Sequence, residues 1–422
     1  MSTALRLRLF QAYGVELEYM IVDAASLDVC PIADELLRDA AGGDEYVGEI
    51  EAGDISWSNE LVAHVVELKT TDPATSLVPL AGTFQAQVRR INELLARHGA
   101  RLLPGGMHPW MDPLRETKLW PHDCNEIYEG FNKIFDCRGH GWSNLQSVHL
   151  NLPFADDEEF GRLHAAIRVV LPILPAIAAS SPIVDGVATG TLDTRLDVYR
   201  GNSKRIPSVT GHVVPEAVFS EVHYRETILG RLYADIAPHD PAGVLQHEWL
   251  NARGAIARFE RNTIEIRVLD IQECPAADLA VCGLAVGALR ALVDERFVGL
   301  AEQQQWPAER LAEVLQAAIR DGERAIMRDA EFLRLFGVKG ASSSLADLWQ
   351  HIHESVPDRA GRTAETDHAL GVILREGPLA RRILQAVGRS TGAIDRSNLH
   401  EVYSRLCACL ARGEMFSTST GS

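Results

Sequence analysis

The sequence predicts an α+β fold with a mainly antiparallel or mixed sheet, and three observations lead there. Short runs rich in Val, Ile and Leu with period-two features occupy residues 13–22, 64–70, 101–107, 145–152 and 262–270. Helical patterns at 31–40, 76–98, 158–179, 214–235 and 276–298 do not alternate one for one with those strands, which argues against a doubly wound sheet. Beyond residue 295 the chain reads as helix after helix. We therefore expect a core over residues 1–300 and a helical region over 301–422 packed on it. Stripes such as Leu311, Val314, Leu315 and Ile319, or Leu379, Ile383, Leu384 and Val387, mark core faces there and carry no chemistry.

Composition narrows the function classes. With 422 residues, 46% of them hydrophobic, the chain can bury a large core. A formal charge of −17 argues against nucleic acid as a partner, because phosphates call for a surplus of Lys and Arg. It leaves metal-nucleotide binding open. No run of about 18 apolar residues and no signal-peptide core in Met1 to Phe10 are present, so no membrane partner is expected and the cytoplasm is the expected compartment. The seven cysteines form no C-x-x-C pair, which supports neither a disulfide framework nor a zinc ribbon. Cys407 and Cys409 sit in a helical pattern and read as buried thiols, and the Ser/Thr/Gly ending at 417–422 reads as frayed. A homo-oligomer is left open.

The first strand, Gly14-Val15-Glu16-Leu17-Glu18-Tyr19-Met20-Ile21-Val22, holds two carboxylates in an apolar run. Alternation points Glu16 and Glu18 the same way, ~7 Å apart along the strand. Two like charges on one face need Mg2+, Mn2+, Arg or solvent between them, so the segment is either a wet edge strand or a cation-binding wall. A second acidic strand, V-V-E-L-K-T, embeds Glu67 among apolar residues, where a carboxylate is seldom buried unless paired or bound to metal. In S-V-H-L-N-L-P, His149 and Asn151 share one face, as a hydrogen-bonded core pair or as part of a site. In T-I-E-I-R-V-L-D, period two places Thr263, Glu265, Arg267 and Leu269 on one face and Ile264, Ile266, Val268 and Asp270 on the other. Glu265 and Arg267 then form a cross-strand salt bridge, or Glu265 holds a metal while the planar fork of Arg267 meets phosphate.

Other chemistries are missing their signatures. The sequence has no G-x-x-x-x-G-K-[ST], no G-x-G-x-x-G opening a helix and no G-x-S-x-G elbow, and Asn251 stands where a zincin needs its second His.

Together, G-V-E-L-E-Y at 14–19, V-V-E-L-K-T at 65–70, V-H-L-N at 148–151 and T-I-E-I-R-V-L-D at 263–270 resemble the glutamate-cysteine ligase and carboxylate-amine ligase families. The loop L-P-G-G-M-H-P-W at 103–110 and A-S-S-P at 179–182, with Arg195 downstream, are similar to family segments too. The resemblance spans about residues 13–295 and implies a glutamine synthetase-like catalytic fold: a curved, mainly antiparallel sheet forming a funnel, with helices on its outer face. It implies Glu16, Glu18, Glu67, His149 and Glu265 as metal ligands, Arg267 and Glu265 as catalytic residues, Arg267 on ATP phosphate, and Arg195 and Arg253 on substrate or phosphate. Glu60 is a weaker candidate on position alone. One branch of these ligases shows H-x-H-x-G, whereas His149 and Asn151 give the H-x-N of the classical glutamate-cysteine ligases.

The implied function is ATP-dependent ligation using Mg2+ or Mn2+, led by formation of γ-glutamylcysteine through γ-glutamyl phosphate, which belongs to glutathione biosynthesis. Alternatives are ligation of another carboxylate to another amine, a metal-dependent hydrolase or phosphotransferase using the same carboxylates, and a non-catalytic descendant. The last would predict lost ligands, and every motif carboxylate is present. The substrates are amino acids and ATP.

Overall fold

A computed structural model describes residues 6–418 except Cys124 and Asp358. The expectation for the 417–422 ending therefore lies mostly outside the described residues. Strands β1 (Gly14–Asp23), β2 (Glu49–Glu51), β3 (Ile55–Asn59), β4 (Val65–Thr70), β5 (Ala100–Leu103), β6 (Ser147–Pro153), β7 (Ala255–Arg258) and β8 (Thr263–Asp270) form one eight-stranded sheet. Its order is β2-β3-β4-β1-β6-β8-β7, with β5 also paired to β1, and every pairing is antiparallel. Central β1 carries the opening motif.

Alternation along β1 sorts the sheet's faces. Val15, Leu17, Tyr19 and Ile21 enter the main apolar cluster beneath the helices Leu80–Leu95, Asp157–Val170 and Pro275–Val293. Glu16 and Glu18 face the opposite way, into a cavity. Farther along that face, Met20 and Val22 pack with residues of helices Leu379–Val387 and Arg396–Arg412, so the C-terminal helices cover the sheet beyond the carboxylates. The main cluster also takes in Leu311, Leu315, Trp349 and Leu370, and the Trp349 indole donates to the Ile173 carbonyl at 2.8 Å.

Helix Pro275–Val293 is long and apolar enough to cross a membrane by composition alone, yet its window is 83% buried inside the fold. Proline explains two differences from the sequence-based helices. The run expected at 158–179 breaks after Val170, where Pro172 and Pro175 cannot donate into a continuing helix. The one expected at 214–235 begins only at Glu221, past Pro215, under the side-chain cap of Ser220. The strand expected at 101–107 stops at Leu103, before Pro104 and a left-handed Gly105 with φ 102°. Strands β2 and β3 were not expected; they form a hairpin around Gly53, whose φ is 86°. No disulfide occurs among the described residues, and Cys407 and Cys409 are buried thiols.

Three buried histidines set an acid limit on stability. Burial holds His64 and His108 down to about 4 and His164 to about 3, from 6.5. Because the folded values lie below the unfolded one, their contribution is full above pH 6.5 and drains away as pH falls through about 4. Thermal melts should fall through that window, and His164→Phe should flatten the decline. An unchanged acid limb in that variant contradicts the assignment.

Candidate active site

The register assembles the site. Glu16 pairs with His149 on β6 and with Lys69 on β4, Glu18 pairs with Glu67, and Asn151 pairs with Glu265. Strands spaced about 4.8 Å apart thus bring separate motifs onto one wall. His149 Nδ1 lies 2.8 Å from Glu16 Oε2, and Asn151 Nδ2 donates to the other oxygen of Glu16 at 3.0 Å. Ser147 donates its amide and its hydroxyl to Glu18 at 2.7 and 2.9 Å, and Ser58 donates to Glu67 at 2.7 Å. Gly14 is needed beside this row, because a Cβ there would press on Asn151 Cβ at 3.0 Å.

The wall is crowded with negative charge. Burial opposes the charge on Glu16, but hydrogen bonding and attraction from His149 hold it to about 2. The same partners, Glu16 and Glu18 with Glu265, outweigh burial to lift His149 to about 9. Burial, with Glu18, raises Glu60 to about 7, and burial, with Glu16 and Glu60, pushes Glu67 well above the usual carboxylate range. Ligand atoms of Glu16, Glu67 and His149 lie within 4.8 Å of one another, as do those of Glu18, Glu60 and Glu67. An oxygen-rich donor set of clustered carboxylates with one imidazole suits a hard divalent cation. The residues therefore fit Mg2+ or Mn2+.

Glu265 is bracketed by guanidinium groups. Arg267 Nε donates to it at 3.1 Å and a second Arg267 nitrogen also contacts it, while Arg258 reaches its other oxygen at 3.3 Å. Burial works against the charge of Glu265, and Arg267, His149 and Arg258 nonetheless hold it below the ordinary range. Arg258, which sequence reasoning missed, comes from β7 and faces the cavity; the hairpin joining two apolar strands was its only signal.

A bulge corrects the expected face of Asp270. The β6–β8 register slips between Ile266 and Leu269, so Leu269 pairs with Val148 and Asp270 with Ser147. Strict period two had placed Leu269 with Glu265; the extra residue instead turns Asp270 to the site side. There it accepts from the Ser180 amide and the Ser181 hydroxyl, both at 2.7 Å, and from Arg195 Nε. Arg195 lines the cavity and also reaches the Arg267 carbonyl at 3.4 Å. The 103–110 loop packs directly on this pair: a Cβ on Gly106 would fall 2.5 Å from Asp270 Cγ. His108 of that loop is buried and bonds the Leu27 carbonyl at 2.8 Å, a structural use.

Arg253, expected to bind substrate or phosphate, is placed elsewhere. It is 2% exposed, and both oxygens of Glu216 take its guanidinium at 2.6 Å, with the Ser208 carbonyl at 3.1 Å. That pairing ties the 207–216 segment to the start of β7 and leaves no fork for a ligand. The other expected site residues, Glu16, Glu18, Glu67, His149, Glu265, Arg267 and Arg195, all line one cavity of about 1680 Å³. This exceeds the ~300–1,000 Å³ of a single small-ligand pocket and suits several substrates held together.

Comparison with known proteins gives the family of the chain. Residues 12–401 match the glutamate-cysteine ligase family 2. An uncharacterized protein of Archaeoglobus fulgidus is 33% identical over 96% of this chain and 99% of its own length. A putative glutamate–cysteine ligase 2-3 of Rubrobacter xylanophilus is 27% identical over 87% of this chain and 93% of its own. Among solved structures, a glutamate–cysteine ligase of Francisella tularensis in complex with AMP superposes with a TM-score of 0.58 at 11% identity, covering 97% of this chain and 90% of that one. A bifunctional glutathione synthetase of Pasteurella multocida gives 0.52 at 15% identity, over 96% of this chain and 52% of that one. The fold is thus the glutamine synthetase-like ligase fold. The chain is an ATP-dependent carbon–nitrogen ligase of the carboxylate–amine class, and it belongs to the glutamate-cysteine ligase family 2.

Proposed function

We propose that the enzyme activates the side-chain carboxylate of glutamate with ATP and joins it to the amino group of cysteine, giving γ-glutamylcysteine. The carrying observation is the meeting of Glu16, Glu18, Glu67, His149, Glu265 and Arg267 in one cavity. Glu16, Glu18, Glu67 and His149 would hold Mg2+ or Mn2+, with Glu60 adding an oxygen beside Glu18 and Glu67; Glu265, next to His149 on the same wall, would be a further ligand. Bound there, the cation supplies charge neutralisation at phosphate oxygens.

The protein's own part is positioning. The substrate carboxylate attacks the γ-phosphorus of ATP; the new C–O–P bond forms as the bond to ADP breaks. Charge grows on the equatorial phosphate oxygens, where the fork of Arg267 can reach two of them. Arg195, held by Asp270, buttresses the backbone of Arg267. The unprotonated amine then attacks the acyl carbon, the C–N bond forms, phosphate leaves with its electron pair and the nitrogen releases one proton. No protein nucleophile is required.

Phosphate release from ATP tests this reading with Mg2+, glutamate and a panel of amines, cysteine first. Turnover that needs both glutamate and an amine is expected. ATP left intact with glutamate and every amine, against turnover with another carboxylate, would overturn the glutamate assignment. Glu265→Gln is expected to abolish metal-dependent turnover while circular dichroism stays native. Comparable activity in that variant removes Glu265 from the ligand set.

A further inference from the structure

Arginines around the cavity differ in whether the protein uses up their donors. A guanidinium group carries five N–H bonds. Arg253 gives its fork to both oxygens of Glu216 and its third nitrogen to the Ser208 carbonyl and the Asn251 side chain, at 3.1 and 3.0 Å. Arg195 gives Nε to Asp270 and its other two nitrogens to the Arg267 carbonyl. Arg258 is different. Its side chain is 17% exposed on the cavity wall, and among the described residues it makes one hydrogen bond, from Nη1 to Glu265 at 3.3 Å. Glu248, a second acid that draws on its charge, is met by Arg225 at 3.2 Å. The hydroxyl of Thr263, the residue paired with Arg258, is buried and has no hydrogen-bond partner among the described residues.

Strand register sets Arg258 beside the phosphate fork. Arg267 stands two residues beyond Glu265 on β8, and Arg258 on β7 opposes Thr263, two residues before it. Their guanidinium groups converge on the two oxygens of one carboxylate, Arg267 on Oε1 and Arg258 on Oε2. Arg261 follows in the hairpin turn and lines the same wall. A singly charged substrate acid would leave most of these donors unmet, whereas ATP presents linked phosphates in a row. With the transferring group on Arg267, the phosphate bonded to it falls to the neighbouring fork. We propose that Arg258 contacts substrate directly and holds the β-phosphate of ATP and, after transfer, of ADP. This inference rests on the ATP-dependent ligation above.

Calorimetric titration of Mg-ADP and of AMP into the full chain tests it. Arg258→Met should raise Kd for Mg-ADP about tenfold or more, the scale of one hydrogen bond to a charged group, and leave Kd for AMP, which lacks the β-phosphate, within about twofold. Arg258→Lys keeps the charge without the fork and should fall between, and it stands in should the methionine variant fail to fold. Mn2+ affinity without nucleotide, followed by electron paramagnetic resonance, should hold. An equal loss of Mn2+ affinity means that Arg258 acts only through Glu265. An equal loss for AMP puts its contact elsewhere on the nucleotide, and a rise in KM for glutamate with ADP binding intact gives the residue to the acid substrate. Each of these three results overturns the β-phosphate assignment, as does ADP binding that ignores both substitutions. Wild-type protein that binds Mg-ADP through Arg258 but releases no phosphate with glutamate and any amine defeats the γ-glutamyl reading and leaves this inference standing.

Discussion

Replacing Arg267 with lysine is expected to lower ATP-dependent turnover by about three orders of magnitude, the range seen when a preorganised charge is removed from a phosphoryl-transfer site. Lysine keeps the charge but offers a point in place of a planar fork, and it cannot both hold Glu265 and span two phosphate oxygens. Arg267 donates twice to Glu265 from a side chain that is 21% exposed and lines the cavity. Arg258 still meets Glu265 in the variant, which keeps the buried carboxylate compensated and the fold intact. Single-turnover phosphate release compared with the melting curve makes the check. A loss below tenfold at native stability would falsify a role on the phosphate.

Asp270→Asn should cost about 3–5 kcal/mol of stability, because it strips the counter-charge from a buried guanidinium. Arg195 is 2% exposed and Asp270 1%, so water cannot take over the lost partner. Activity should fall as well, since Arg195 also contacts the backbone of Arg267. Pairing the change with Arg195→Met removes the orphan charge. The double variant should recover much of the stability and none of the turnover, a coupling that denaturant titration of all four forms measures. Additive losses would mean that the pair acts as two unrelated residues.

The legible part of this fold was the part governed by alternation. Glu16, Glu18 and His149 read directly as one face because β1 and β6 are regular where they pair. Glu67 was legible for the same reason, through β4. Asp270 was not, since the bulge in β8 leaves no mark on composition yet reverses every face after it. Arg253 was misplaced because an arginine near a strand looks the same whether Glu216 or a substrate takes its fork. Strand β3 hid behind serines: Ile55 and Trp57 enter the core while Ser56 and Ser58 point away from it, a valid period of two too short and too polar to stand out. The contact of Phe131 with Trp142 and Trp249 on the cavity wall joins segments more than a hundred residues apart, so no local window contains it.

Helix Pro275–Val293 has a consequence for biosynthesis. It packs against Leu80–Leu95 and Asp157–Val170, both made before it, and against Ala364–Glu376, made about 80 residues later. At roughly 5–20 residues per second, one side of this long apolar helix waits several seconds on the ribosome without its cover. Nascent chains halted in that interval should be the ones that chaperones hold and that aggregate when released, whereas chains extended past residue 376 should not.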